Sequence, residues 1–309
     1  MLVLTGIANF GLGQPSNRDG KLYFPIGNWQ SREFKLRPAR RLSLEEAQKW
    51  VAAIKERGTM YSTYLTPVDP KSLIESATAD HKHLAENINS RKLDLRLASL
   101  AEIALRNEKS LIPEVRRLAI EGDLTGFLVY RALDPSKAGM LSIYGATKDG
   151  SRTKDQAAVQ LLRWGDTRGV KVIRHAMKTQ RGFGVFTGAG WLTDPEVTYL
   201  LIRNADGNDS AQITKDLDGT QPQIRRYFPL LASLKRQGID KVLLKRAGDP
   251  HHAVRKWVAV AAQSRPDSVG YRTALERLAK DPIPDVASTA RWALGKGPKP
   301  SNLNHVIKN

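Results

Sequence analysis

The feature that most constrains the fold is a phrase that occurs twice near the C-terminus. Asp249-Pro250 opens the stretch DPHHAVRKWVAVAAQ, and Asp281-Pro282 opens the stretch DPIPDVASTARWALG. Matching positions lie 32 residues apart, from 249 to 281 and from 254 to 286. A fixed period in the thirties is typical of stacked supersecondary units, none of which can bury its apolar face alone.

Each copy predicts an amphipathic helix with a marked start. An Asp side chain can accept hydrogen bonds from the free N–H groups of a first helical turn, and Pro fits at the first helical position, where no donor is needed. Gly295 lies where the second helix should end. The apolar residues recur at spacings of three and four, as on one face of a helix: Val254, Trp257, Val258 and Ala261 in the first copy, and Val286, Ala290, Ala293 and Leu294 in the second.

The two copies resemble the HEAT-like repeat of the short, PBS-lyase type, whose first helix typically reads D-P-x-x-x-V-R-x-x-A-x-x-A-L-G. The matching residues are Asp249, Pro250, Val254, Arg255 and Ala261 in the first copy, and Asp281, Pro282, Val286, Ala293, Leu294 and Gly295 in the second. Ala287 stands where the family usually has Arg. The resemblance implies a mainly α fold, an α-solenoid of helix pairs, and no single activity. It also implies that Arg255 and Arg225 each pair with the Asp that opens a neighbouring repeat.

Weaker copies upstream extend the expected solenoid. Ile224-Arg225 begins a similar helix, and Leu95-Arg96 begins another that a second helix follows at residues 112–120. Ser43 and Glu46 form a capping-box pattern, which predicts a helix start. The segments that we expect are a basic N-terminal segment with short strands at 21–24 and 33–36 (1–41), a helical cap and linker (42–91), the repeat solenoid with a Gly-rich insertion at 181–193 (92–296), and a C-terminal tail (297–309).

The charge favours a polyanionic partner. The chain has 309 residues and a formal net charge of +18. Residues 223–300 contain 16 Lys and Arg against 6 Asp and Glu, whereas residues 42–222 contain 25 against 23. An excess of this size favours nucleic acid or an acidic protein, and a generally basic soluble surface is the plainer alternative.

Basic residues are concentrated on one side of several predicted second helices. At 100° per residue, the basic side chains of residues 167–179 lie on the opposite side of the helix from Val170, Ile173 and Ala176. The helices predicted at 239–247 and 271–280 show the same division into a basic and an apolar side. Second helices usually line the concave surface of such solenoids, so stacking would align these faces into a stripe for phosphates. Ordinary solvated helix faces would show the same pattern. The candidate nucleic-acid-binding residues are Arg168, Lys171, Arg174, His175, Lys178, Lys241, Lys245, Arg272, Arg277 and Lys280.

Signatures of catalysis, metals and cofactors are weak. The chain has no Cys, which removes disulfides, thiolate ligands and Cys nucleophiles. It contains no G-x-S-x-G, Walker A or H-E-x-x-H motif. Asp80-His81-x-His83 and His251-His252 lack further ligands at a recognisable spacing. We therefore expect no catalytic residue, no metal and no cofactor.

The alkylbase DNA glycosylases built on HEAT-like repeats are one enzymatic alternative. Those enzymes use a Trp with an Asp one helical turn further on. The residue four positions after Trp50, Trp164, Trp191, Trp257 or Trp292 is not acidic; Asp166 and Asp194 follow Trp164 and Trp191 at two and three. The catalytic assignment therefore does not transfer. Trp257 and Trp292 are expected in the core, whereas Trp191 lies in the Gly-rich insertion and could stack on bases.

The combined reading is a non-catalytic scaffold whose basic solenoid surface holds nucleic acid. A protein–protein scaffold within a larger assembly is the first alternative, and the glycosylase is the second. No apolar run reaches 18 residues, so no membrane span is expected. The apolar N-terminus lacks a basic region before it and is a poor signal peptide. We expect a cytoplasmic protein; a mature chain that has lost a signal peptide is the alternative that the sequence leaves open.

Overall fold

The protein is mainly helical in the computed structural model, as the sequence predicts. The structure describes residues 16–18, 21–25, 37–56, 65–178, 194–204, 210–218 and 222–303. By their internal contacts, the described residues up to Trp164 form one compact unit, here the N-terminal unit, and those from Gly165 onward form a second, here the C-terminal unit. The Gly-rich insertion at 181–193 and the predicted strand at 33–36 lie outside the described residues.

The N-terminal unit contains three short strands, two before its first helix and one after it. They are β1 (Ser16–Arg18), β2 (Lys21–Pro25) and β3 (Leu65–Val68). Both pairs are antiparallel, in the order β1-β2-β3, with Asn17 opposite Leu22 and Tyr23 opposite Pro67. The last strand also contacts a helix of the unit.

Eight helices make up the rest of this unit within its described residues. They are α1 (Leu44–Glu56), α2 (Pro70–Thr78), α3 (His81–Asn87), α4 (Leu93–Arg106), α5 (Ile112–Ile120), α6 (Leu124–Leu133), α7 (Lys137–Ala146) and α8 (Arg152–Arg163). The helices α2, α4, α6 and α8 pack one on the next, and α5 packs on α7. From α4 onward, each of these helices therefore contacts a neighbour but one along the chain.

Local signals explain several helix starts here. The Ser43 hydroxyl accepts from the Glu46 N–H (3.2 Å), and the Glu46 carboxylate accepts from the Ser43 N–H (2.8 Å), which confirms the capping box that begins α1. Asp123 and Ser151 accept from backbone N–H groups at the starts of α6 and α8 in the same way. The helix predicted at 112–120 is α5.

A buried charge cluster ties the segment before α1 to α2 and α4. Glu102 forms ion pairs with both Arg37 and Arg106, and all three side chains are almost fully buried. Arg106 also donates to the carbonyl oxygens of Ser76 (3.0 Å) and Ala77 (2.7 Å) at the end of α2. The Ser76 carbonyl also accepts from the Ala79 N–H (3.3 Å) and the Ala77 carbonyl from the Leu42 N–H (2.9 Å), so Arg106 adds a further donor to the carbonyls at the end of α2. Burial lowers the pKa of Arg37, and the charge of Glu102 opposes that effect.

The C-terminal unit has eight helices in its described part. They are α9 (Val170–Lys178), α10 (Asp194–Asn204), α11 (Ser210–Asp218), α12 (Phe228–Ser233), α13 (Gln237–Lys245), α14 (His252–Ala262), α15 (Val269–Leu278) and α16 (Pro284–Ala293). The helices α10, α12, α14 and α16 pack in sequence, and α11, α13 and α15 form a second row against them. A 3-10 turn at Pro222–Tyr227 precedes α12, so the helix predicted from Ile224 begins later and is short.

One apolar core runs through this unit. It includes Ile239, Leu243, Val258, Tyr271 and Val286, and the alanines of α14 let the neighbouring helices approach. Trp257 packs against this core, as predicted, and is partly buried. Trp292 is also partly buried.

The repeat starts differ from the prediction by two to three residues. Asp249 accepts from the N–H of His251 at 2.8 Å, and Asp281 accepts from the N–H of Ile283 at 3.0 Å. The helices themselves begin at His252 and Pro284, so each Asp closes a turn ahead of its helix and does not cap it. Gly295, with a φ of 73°, follows the end of α16 as predicted.

Because Asp281 lies in a turn before α16 and does not cap that helix, its carboxylate can bind a side chain of the preceding repeat. Arg255 binds it with two hydrogen bonds, Nε to Oδ2 at 2.7 Å and Nη2 to Oδ1 at 3.0 Å. Lys256 forms a parallel ion pair with Asp285 at 2.9 Å. The inter-repeat pairing expected of Arg255 is therefore present. Arg225 and Asp249 form no such pair in the described structure; Asp249 has Arg246 at 3.9 Å instead.

Candidate nucleic-acid interface

The helices α13 and α15 present an exposed basic surface, which we call the α13–α15 face. Lys241 and Lys245 are exposed on α13, opposite the buried Ile239, Val242 and Leu243. On α15 the exposed residues are Arg272 and Arg277, and Lys280 follows just after the helix. Periodicity predicted this partition, and it follows because the apolar side of each helix is packed into the core.

The five basic side chains of the α13–α15 face have no counter-ion within the described part of the chain. None of Lys241, Lys245, Arg272, Arg277 or Lys280 makes an ion pair or side-chain hydrogen bond there. Glu276 is the one acidic residue of α15 and is exposed between Arg272 and Lys280. The face therefore keeps an excess of four positive charges.

A buried network fixes α13 against α15. Arg265, in the turn before α15, donates to Asp240 of α13 at 2.7 Å, and the Tyr271 hydroxyl donates to the same Asp240 oxygen at 3.1 Å. The Arg265 guanidinium also lies 5.6 Å from the centre of the Tyr271 ring. Burial, and then the charge of Asp240, raises the pKa of Tyr271, so its hydroxyl stays protonated and keeps donating.

Close packing brings the two helices together at one further point. A Cβ atom built on Gly270 of α15 would lie 2.9 Å from Cδ1 of Leu244 on α13. The axes of helices in such contact are about 8–10 Å apart. Lys245 and Arg277 occupy equivalent positions, 32 residues apart, on these neighbouring helices. The α13–α15 face is thus one surface with a defined spacing of charges.

Two of the five residues of the basic cluster predicted at 167–179 are neutralised by acidic side chains. Arg168 forms two hydrogen bonds with Asp166, from Nε at 2.9 Å and from Nη2 at 2.6 Å. Arg174 is not solvent-facing as its helical position predicts: it is half-buried and its Nη2 lies 2.9 Å from Asp216 of α11. These two arginines are structural ion pairs, and their contribution to a basic stripe is small.

The remaining three residues of the predicted cluster differ in what the structure describes of them. Lys171 and His175 are exposed. The side chain of Lys178 lies outside the described residues, although its backbone ends the helix. Of the predicted cluster, Lys171 therefore keeps an exposed positive charge and His175 adds an exposed titratable ring.

Two exposed lysines near the α13–α15 face were not among the predicted residues. Lys215 lies on α11, which packs on α13, and Lys235 lies in the turn before α13. Lys235 has a φ of 54°, at the left-handed position that ends α12. Lys235 could have been found from charge alone, because residues 223–300 are strongly basic, whereas Lys215 lies in the nearly balanced range 42–222. Neither belongs to a long periodic pattern.

The histidine motifs do not assemble a metal site. Asp80 is the N-cap of α3, where it accepts from the N–H of His83 at 2.9 Å and contacts the ring Nδ1 of the same residue at 2.7 Å. His251 caps α14 through its ring, and its ring stacks on His252 with centroids 5.1 Å apart. Among the described residues, no three His, Asp or Glu side chains come together as metal ligands.

Of the two Trp and Asp pairs considered for a glycosylase, the structure describes the one formed by Trp164 and Asp166. Trp164 is 38% exposed, but the nearby Asp166 carboxylate is occupied by Arg168. Trp191 lies outside the described residues.

None of the described helices combines the length and the apolar character that crossing a membrane requires.

Comparison with known proteins leaves the geometry as the guide to function: no family model, no curated protein and no solved structure matches this chain at a significant level.

Proposed function

We propose that this protein is a non-catalytic scaffold that binds the phosphate backbone of nucleic acid through the α13–α15 face. The observation that carries the proposal is the set of five exposed basic side chains without counter-ions on two helices held in fixed relation. Lys171, Lys215 and Lys235 extend the positive charge of the same unit.

The chemistry of the face suits phosphates better than base edges. Lys and Arg that contact phosphates release condensed cations from the nucleic acid, which provides a large favourable and salt-dependent term. Consecutive Lys241 and Lys245 lie one helical turn apart, about 6 Å along the axis, and the next helix repeats the charges about 8–10 Å away. Contacts of this kind position a backbone and carry no sequence information.

The HEAT-like α-solenoid is the architecture that we propose for the scaffold. The packing of α2, α4, α6 and α8, and of α10, α12, α14 and α16, one on the next supports it, because such repeats pack in this way. The 32-residue spacing also recurs in the N-terminal unit, where the buried Phe127, Val129 and Tyr130 of α6 match the buried Val159, Leu161 and Leu162 of α8. The small sheet β1-β2-β3 would then cover one end of the helix stack.

The test compares two variants that lose the same charge. The first replaces Lys241, Lys245, Arg272, Arg277 and Lys280 with Gln. The second replaces five exposed basic residues of the N-terminal unit that also lack ion pairs in the described structure: Lys71, Lys82, Arg91, Lys92 and Lys109. Binding of labelled single-stranded and duplex oligonucleotides is measured by fluorescence anisotropy over a range of salt concentrations, and circular dichroism checks folding.

We expect the first variant to lose most of its affinity and about one unit of salt slope per lost phosphate contact, and the second to bind nearly as the unmodified protein does. Equal losses in both variants would show that net charge alone is responsible. No binding by the unmodified protein at low salt would overturn the proposal and favour the protein–protein scaffold, with an acidic partner on the same face.

A further inference from the structure

A second basic site lies in the N-terminal unit. Arg131 is on α6 and is partly buried. It has no hydrogen bond, ion pair or ring contact in the described structure, unlike the buried Arg37 and Arg106, which share Glu102. Burial is the main cause that lowers the pKa of Arg131, and no carboxylate opposes it.

A second arginine adds to the charge at this place. Arg163 ends α8, which packs directly on α6, and its positive charge is the second cause that lowers the pKa of Arg131. The two arginines occupy equivalent positions, 32 residues apart, in the buried pattern that α6 and α8 share. The two repeats therefore place like charges side by side.

A partly buried arginine such as Arg131, which no carboxylate faces, is unfavourable without an anion. A guanidinium does not lose its proton at any ordinary pH, so the charge cannot be removed by titration. Taking it partly out of water costs free energy that only a partner of opposite charge returns. The Arg131 nitrogens have no hydrogen-bond partner, yet they do not belong to the fully buried unpartnered atoms of the described structure. They are therefore accessible to solvent. An anion can therefore reach them.

We propose that Arg131 of α6 binds a phosphate group. The planar guanidinium offers paired N–H donors that match two oxygens of a phosphate. The phosphate could belong to a free phosphate or phosphate monoester, or to a nucleic-acid backbone. The site stands independently of the proposed function of the α13–α15 face.

The test is the melting temperature of the full chain with and without millimolar inorganic phosphate, at an ionic strength held constant with chloride. Phosphate should raise the melting temperature of the unmodified protein by a few degrees, because a ligand of the folded state stabilises it. The variant Arg131→Met should lose this rise, and in phosphate-free buffer it should melt at or above the temperature of the unmodified protein. Arg131→Lys, which keeps the charge but not the paired donors, should show a smaller rise.

Arg117→Met is the matched control, because Arg117 is an exposed arginine of the same unit that pairs with Glu121. It should keep the full response to phosphate. An equal response in the unmodified protein and both Arg131 variants, no response in the unmodified protein, or a marked loss of stability of Arg131→Met in phosphate-free buffer would overturn the proposal. A short oligonucleotide then distinguishes the sources: weaker binding by Arg131→Met assigns a backbone phosphate, and unchanged binding assigns a free phosphate or monoester.

Discussion

Asp281 shows how one side chain can serve two repeats. Its carboxylate accepts from the N–H of Ile283 in its own turn and from Nε and Nη2 of Arg255 in the preceding repeat. The hydrogen bonds from Arg255 are the main cause that holds the pKa of Asp281 below its ordinary value, and the same contact raises the pKa of Arg255. The side chain of Asp281 is only 6% exposed, so solvent screens the pair weakly.

Replacing Asp281 with Asn should lower the free energy of unfolding by about 2 kcal/mol at neutral pH, the range for hydrogen bonds to a charged group. Because the folded pKa of Asp281 is lowered, its stabilising contribution is complete above the unfolded value near 3.9 and is lost as the pH falls through the lower folded value. Urea denaturation from pH 7 down to about pH 3 should therefore show the two proteins converging below about pH 4.

The control for this change is Arg117→Ala. Arg117 pairs with Glu121 on the surface of α5, where both side chains are about half exposed. Pairs of this kind contribute little, about 0.5 kcal/mol or less. A loss from Asp281→Asn no larger than this, or one that does not depend on pH, would contradict the structural role given to the Arg255–Asp281 pair.

At the scale of elements, the contact of α5 with α6 depends on a glycine. A Cβ atom on Gly126 of α6 would lie 2.8 Å from Cβ of Leu118 and 3.4 Å from the backbone nitrogen of Ala119. Neither atom is the far end of a flexible side chain, so the helices themselves would have to separate. The absent side chain is what allows this pair of helices to pack closely.

The variant Gly126→Ala should therefore lose about 1–3 kcal/mol of stability, the usual cost of overpacking a core. Gly145→Ala in α7 is the matched comparison, because a Cβ atom there meets nothing within 4 Å. That change should be neutral or stabilising by up to about 1 kcal/mol, since Ala favours a helix over Gly. Chemical denaturation of both variants measures the difference; equal effects would show that space at residue 126 is not limiting.

Elements that depend on short spacings could be predicted from the sequence. The capping box at Ser43 and Glu46, the helix at Ile112–Ile120 and the end of the last helix at Gly295 all rest on residues a few positions apart. The Asp-Pro starts were wrong by two to three residues because an Asp can close a turn ahead of a helix as well as cap one.

The basic face on α9 could not be predicted because its partners come from outside the pattern. Helical periodicity places Arg174 on the polar side, but Asp216 reaches it from 42 residues further along the chain. Arg168 and Asp166 are only two residues apart, so their pair could have been noticed in the sequence, but helical periodicity does not predict it. On α13 and α15 no acid arrives from elsewhere in the described structure, so there the predicted exposure holds.

For the whole molecule, the charge is large and unevenly placed. The formal net charge is +18, and residues 223–300 hold much of the excess. A compact unit with this balance is destabilised by its own repulsion, which salt screens. The Debye length falls from about 30 Å at 0.01 M to about 8 Å at 0.15 M ionic strength, so distant repulsions are screened before close ion pairs are.

The melting temperature should therefore rise between these two ionic strengths when chloride is the anion. The five-Gln variant of the α13–α15 face should start higher and rise less, because it carries five fewer positive charges. Calorimetry or circular dichroism at each ionic strength provides the measurement. A fall in melting temperature with salt would mean that ion pairs such as that of Arg255 with Asp281 outweigh the repulsion.

The Arg255–Asp281 pair also has a consequence in time. The two residues are 26 positions apart, and the acceptor belongs to the later repeat. On a ribosome that adds about 5–20 residues per second, Arg255 emerges roughly 1–5 s before its partner. The contacts of Arg255 are thus completed only when the next repeat has been made, because their acceptor belongs to that repeat.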